Sequence, residues 1–187
     1  MTLENIDSLK NKLRDKVTYQ VTDYDCGWAV MATLMRVLKK DNVADNGLFE
    51  RLGVDPNLGT SIKKIKQVFD EEGVKYTEIF DSGISRLIDE TKKGNLCLVS
   101  YQAWGEKEEI EKKICGHYSV VFGVDDQYVW LFDPSWEPYW LEYQDCFESG
   151  IIRRPREEFE KLWVELDDDW KPIYEWMISV NTGDMVA

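Results

Sequence analysis

From Trp28 to Lys40 the chain reads Trp-Ala-Val-Met-Ala-Thr-Leu-Met-Arg-Val-Leu-Lys-Lys, apolar around almost the whole circumference of a helix and closed by cations. A surface helix keeps one polar face, so this one is predicted to be a buried central helix, its carbonyl end met by lysines. The remaining elements must then cover it, and their order limits how. An amphipathic helix over Glu4–Lys16, with Ile6, Leu9 and Leu13 on one face, precedes it. A short helix around Asn46–Leu52 follows. Gly59-Thr60-Ser61 opens a further helix that runs to about Glu72 and stops at Gly73.

Strand patterns cluster later. Val74–Phe80 alternates, Ile84–Lys93 is helical, and Leu96–Tyr101, His117–Val124 and Tyr128–Phe132 read as strands, the last two joined by the turn residues Asp125-Asp126-Gln127. Pro155–Trp163 reads as a late helix with proline near its first position, and Trp176–Val180 as a closing strand. Helices first and strands late predict an α+β fold, N-terminal helices packed on an antiparallel sheet, with the central helix buried against the last three core strands. At 187 residues, one domain spanning 1–187 is expected.

The chain carries a net charge of -13, which argues against nucleic acid or an anionic membrane as partner and makes a neutral or basic peptide the more comfortable ligand. No signal peptide and no apolar run near the roughly 18 residues of a membrane span is visible. Cys26, Cys97, Cys115 and Cys146 form no Cys-x-x-Cys pair, and His117 is the single histidine, so neither a metal site nor a cofactor is expected. Free thiols fit a cytoplasmic protein.

The chemistry-bearing residues recur in one order: Gln20, Cys26-Gly27, Gly116-His117-Tyr118 and Asp133-Pro134. A thiol attacks only as thiolate, and Cys26 stands at a helix start, where backbone N–H groups favour an anion. His117 could exchange a proton with it, and Asp133, at the same edge of the predicted hairpin, could hold the imidazole in its working tautomer. Gln20, six residues before the cysteine, could fold back beside the Cys26 N–H to give an oxyanion two donors. Each member alone has an ordinary structural reading. The combination is far more specific.

Those segments resemble the C39-type papain-like cysteine peptidases, the double-glycine leader peptidases and their stand-alone relatives. Gln20–Met31 is similar to their nucleophile segment, and Gly116–Val121 with Asp133-Pro134 to their histidine and aspartate segments. Gly59-Thr60-Ser61, Glu72-Gly73-Val74, Gly94–Val99 and Glu158–Trp163 agree as well, so the likeness covers roughly residues 17 to 180. It implies a papain-like fold, Cys26 as nucleophile, His117 as base and acid, Asp133 as orienter, Gln20 as oxyanion donor, and a peptide or protein substrate. No transporter segment follows in these 187 residues, which points to a stand-alone member.

The expected reaction is hydrolysis of a peptide or isopeptide bond. The same residues would serve an acyl or amine transferase, since an amine can resolve an acyl-enzyme as water does, and a third reading is a non-catalytic peptide-binding module. Cys115 shares a strand face with His117 and reads as an inert neighbour; Cys97 and Cys146 read as packing residues. Trp130, Trp136, Tyr139 and Trp140 read as core or interface, with a substrate groove as the alternative. Glu106–Lys113 reads equally as a lid or a solvated helix, and Asp167–Asp169 as an acidic turn.

Overall fold

Ten of the twelve residues of helix α2 (Cys26–Val37) are buried, all but Trp28 and Arg36. In the computed structural model, which describes residues 3–104, 107–112, 116–135 and 150–183, this helix begins two residues before the predicted start. It ends earlier too, because Lys39 turns left-handed (φ 57°) and the Lys40 N–H reaches back to the Met35 carbonyl at 2.8 Å. Helix α1 (Leu3–Leu13) precedes it, followed by a single 3-10 turn at Arg14–Lys16. After α2 come the short helices α3 (Asp41–Asp45) and α4 (Leu48–Leu52), then α5 (Ile62–Glu71). Ser61 caps α5, its Oγ accepting from the Lys64 N–H at 3.2 Å, so the helix starts three residues later than Gly59. The first of these short helices, α3, has no apolar repeat of its own and so gives no signal in the sequence.

The strands are β1 (Tyr76–Ile79), β2 (Leu96–Gln102), β3 (Gly116–Val124), β4 (Tyr128–Phe132), β5 (Ile151–Pro155), β6 (Val164–Leu166), β7 (Pro172–Tyr174) and β8 (Met177–Val180). Helix α6 (Gly83–Lys92) follows β1, α7 (Lys107–Lys112) follows β2, and α8 (Arg156–Leu162) follows β5. Among the described residues, six strands form one sheet in the order β1-β8-β2-β3-β4-β5, every neighbouring pair antiparallel. The closing strand is thus inserted between β1 and β2, a pairing that no local pattern announces. Strands β6 and β7 make a separate hairpin.

Period-two alternation gives the sheet two apolar faces. On one, Leu96, Leu98, Val120, Phe122, Phe132 and Ile178 pack with the apolar stripes of α1, α2 and α5. On the other, Cys97, Val99, Tyr101, Val121 and Leu131 meet Leu87 of α6 and Phe159 of α8. Helices therefore cover both faces, and α2 lies buried on the first, as its sequence requires. Trp130 is 7% exposed and belongs to this core, its Nε1 donating to Asp125 at 2.7 Å. Among the described residues, no helix is long and apolar enough to cross a membrane.

Candidate active site

Cys26 is the first residue of α2 and is 8% exposed. The loop before it is tied down by Asp25, whose buried carboxylate accepts from the Val21 and Thr22 N–H groups at 3.1 Å. Behind the cysteine, Gly27 has no alternative. A Cβ there would stand 2.5 Å from that of Thr60, so only glycine admits the Gly59–Ser61 loop against the helix start. The same loop is joined to β3 by Tyr118, whose hydroxyl donates to the Thr60 carbonyl at 3.1 Å.

His117, second residue of β3 and 1% exposed, stands opposite Tyr101 of β2. Its Nε2 is 3.1 Å from Asp133 Oδ1. Its ring packs against Trp104, centroids 4.7 Å apart. The other nitrogen, Nδ1, is buried with no hydrogen-bond partner of good geometry among the described residues. Cys26 nonetheless lies near enough to act on the ring. Burial opposes the imidazolium, but the charge and hydrogen bond of Asp133, with a further contribution from Cys26, outweigh it and raise the pKa to about 10.

Asp133 follows the end of β4 and is 2% exposed. Burial alone would push its pKa up. The His117 charge and hydrogen bond, with the donors Ser135 N–H and Ser119 Oγ at 2.9 Å, instead hold it below the ordinary carboxylate value. Tyr101 also donates to Oδ2, at 3.4 Å. Gln20 is drawn to the same place through its backbone, the N–H donating to the Pro134 carbonyl at 2.8 Å. Its side-chain Nε2 donates to the Thr22 carbonyl at 3.0 Å; among the described residues the second amide hydrogen is uncommitted and the buried Oε1 has no partner.

The four residues singled out in the sequence therefore converge on the N-terminal end of α2 and the adjoining ends of β3 and β4. Residues 14–166 match the peptidase C39 family. The chain belongs to that family. A papain-like cysteine peptidase domain of the C39 type thus accounts for the α+β architecture.

Among relatives of this C39 domain, the lactococcin-G-processing and transport ATP-binding protein LagD of Lactococcus lactis subsp. lactis is 27% identical over 175 residues. That alignment takes in 92% of this chain and 21% of LagD, so the chain spans about a fifth of the relative's length. Solved structures share the fold. The peptidase domain of Streptococcus ComA, a bifunctional ABC transporter in a quorum-sensing pathway, superposes with a TM-score of 0.59 at 17% identity, covering 88% of this chain and 96% of that one. A C39-like peptidase from Bacillus anthracis gives 0.57 at 17%, covering 88% and 93%. A double-glycine-motif protease from an AMS/PCAT transporter, solved with its leader peptide, gives 0.56 at 15%, covering 88% and 91%.

Several residues at the C39 site were not singled out in the sequence. Ser119 could have been, since it lies two residues beyond His117 on the same strand face. Ser135 supplies an N–H that turns back on Asp133, a common property of Asp followed by a turn. Trp104 and Glu165 carry no local signal, and Thr60 stands out only as part of the helix-opening Gly59-Thr60-Ser61. Asp167–Asp169 is more than a solvated turn, because Asp168 accepts from the first N–H groups of α5, Ile62 at 3.1 Å and Lys63 at 3.0 Å. In α7, Glu108, Glu111 and Lys112 are exposed. Cys115, Trp136, Tyr139, Trp140 and Cys146 lie outside the described residues.

Proposed function

We propose that this chain, acting as one cytoplasmic domain, hydrolyses a peptide or isopeptide bond with Cys26 as nucleophile, His117 as base and acid, Asp133 as orienter and Gln20 as oxyanion donor. The observation that carries the reading is the state of the one histidine. Its Nε2 is committed to Asp133, its Nδ1 has no other partner among the described residues, and Cys26 acts on the same ring. Fixing the tautomer through one nitrogen frees the other to trade a proton with sulfur.

The chemistry then follows. The Cys26 thiolate forms a C–S bond to the scissile carbonyl carbon, and the oxygen takes the negative charge. The Cys26 N–H, at a helix start where backbone donors lack intrahelical acceptors, and the second Gln20 amide hydrogen stabilise that oxyanion. His117 gives its Nδ1 proton to the leaving nitrogen as the C–N bond breaks. Water, losing a proton to His117, then opens the thioester and regenerates the thiolate. The leader-peptide complex of the transporter protease and the processing role in the LagD name favour a peptide substrate here too.

Turnover of a quenched-fluorescent peptide library, with folding followed by circular dichroism, tests the assignment. Cys26→Ala and His117→Ala should each abolish turnover and leave the fold intact. Asp133→Asn should cost less than either, and Gln20→Ala about 10²–10³ in kcat. Because His117 is the sole histidine, wild-type activity in His117→Ala would overturn the assignment outright.

A further inference from the structure

The β6–β7 hairpin carries Glu165 over the end of β2 and the start of β3. Its Oε2 accepts from Ser100 Oγ at 3.3 Å and from Gln102 Nε2 at 3.2 Å, and its Oε1 from the Leu166 N–H at 2.8 Å. Gln102 pairs across the sheet with Gly116, and Ser100 with Tyr118, so these groups form one patch. Gly116 is solvent-exposed, and a Cβ there would collide with the Glu165 carboxylate, so glycine is what lets the carboxylate approach. The charge thus sits one residue along β3 from His117.

The three donors to it among the described residues are neutral. They orient the carboxylate without neutralising it, and they leave a lone-pair site on Oε1. Among the described residues no lysine or arginine pairs with Glu165, and the cation that does act on it, His117, already has Asp133 as counter-ion. An uncompensated, half-buried carboxylate costs stability, which a ligand of opposite charge would offset.

We infer that Glu165 is a specificity-determining residue that binds a cationic side chain, lysine or arginine, of the substrate peptide beside the scissile bond; the inference rests on the peptidase reading above. The net charge of -13 draws such peptides toward the protein, and the Glu165 carboxylate selects where the cation lodges. Burial pushes the Glu165 carboxyl up to about 7, against hydrogen bonds from Leu166, Ser100 and Gln102 and the pull of His117. Selection for a cation should therefore fade as pH falls through about 7. Among the described residues, the titratable groups that act with it are His117 and Tyr118, which titrate near 10 and well above the ordinary tyrosine value, so neither interferes there.

The test compares library peptides carrying lysine or acetyl-lysine at each position around the scissile bond. At one position within two residues of that bond, lysine should be favoured about tenfold in kcat/KM. The ratio should fall to about one in the near-isosteric Glu165→Gln. In the wild-type enzyme, which needs no variant to fold, it should fall as pH drops below 7. A second arm reads binding of the same labelled peptides to Cys26→Ala by fluorescence anisotropy, with and without Glu165→Gln. If no peptide is cleaved, the peptidase reading has failed, and this arm still decides the subsite through the same lysine preference. No preference at any position, or one that survives both Glu165→Gln and acid, would reduce Glu165 to a pin for the hairpin.

Discussion

Asp133 keeps its charge at 2% exposure because its oxygens are shared out among donors. Oδ1 takes His117 and the Ser135 N–H, while Oδ2 takes Ser119 and Tyr101. Ser119 is the closer of the two Oδ2 donors, at 2.9 Å, and it holds the carboxylate plane so that Oδ1 faces the imidazole. Removing it leaves an anion short of a charge-assisted bond, worth about 1.5–3 kcal/mol. Ser119→Ala should lower stability by that order in urea unfolding. It should also reduce kcat severalfold with KM little changed, since the lost contact acts through His117 and touches no substrate. Ser119→Thr, which restores a hydroxyl, should recover most of kcat; failure to do so would leave Ser119 with a packing role alone.

At the scale of elements, the site is a meeting of ends. The start of α2, the loop before α5, the first residues of β3 and the β6–β7 hairpin come together, and small contacts set how closely. Thr60 against Gly27 seats the loop on the helix, Tyr118 joins that loop to β3, and Asp168 fastens the hairpin to α5. In an isolated helix Gly27→Ala would be favourable by about 1 kcal/mol. Here the new methyl meets Thr60 Cβ, and the substitution should instead cost about 1–3 kcal/mol and lower activity by pushing the loop off the Cys26 end of the helix. Adding Thr60→Gly should return part of the stability. A double-mutant cycle in urea reads that coupling directly, and additivity of the two changes would contradict the contact.

For the whole molecule, buried charges on opposite sides of neutrality set the pH range of stability. Burial would raise the Glu90 pKa, but hydrogen bonds from Lys93, Ser179 and Asn95 and the Lys93 charge bring it down to about 2. A carboxylate held lower in the folded state than in the unfolded one stabilises above the unfolded value, and that stability is lost as pH falls from about 5 toward 2. Asp133 adds in the same direction. His117 works oppositely: raised to about 10, it stabilises fully below about 6.5, and its contribution drains away as pH climbs to about 10. Urea midpoints measured across pH should decline on both flanks, and His117→Ala should flatten the alkaline one. The same titration places the upper limb of the activity profile near pH 10.

The buried α2, the strands β2, β3 and β4 and the α+β class were legible because each rests on periodicity, which acts between near neighbours in sequence. Gln20, Cys26, His117 and Asp133 stand out as a candidate set because their residue types carry chemistry and their order is distinctive. The remaining features depend on contacts between distant segments. β8 enters the sheet between β1 and β2, β5 hides its pairing in Ile-Ile-Arg-Arg-Pro, and the β6–β7 strands have three residues apiece, too short for alternation to register. That Gly27 answers to Thr60, Gly116 to Glu165 and Asp133 to Ser119 follows from packing at close range, which brings together residues that a linear pattern keeps apart.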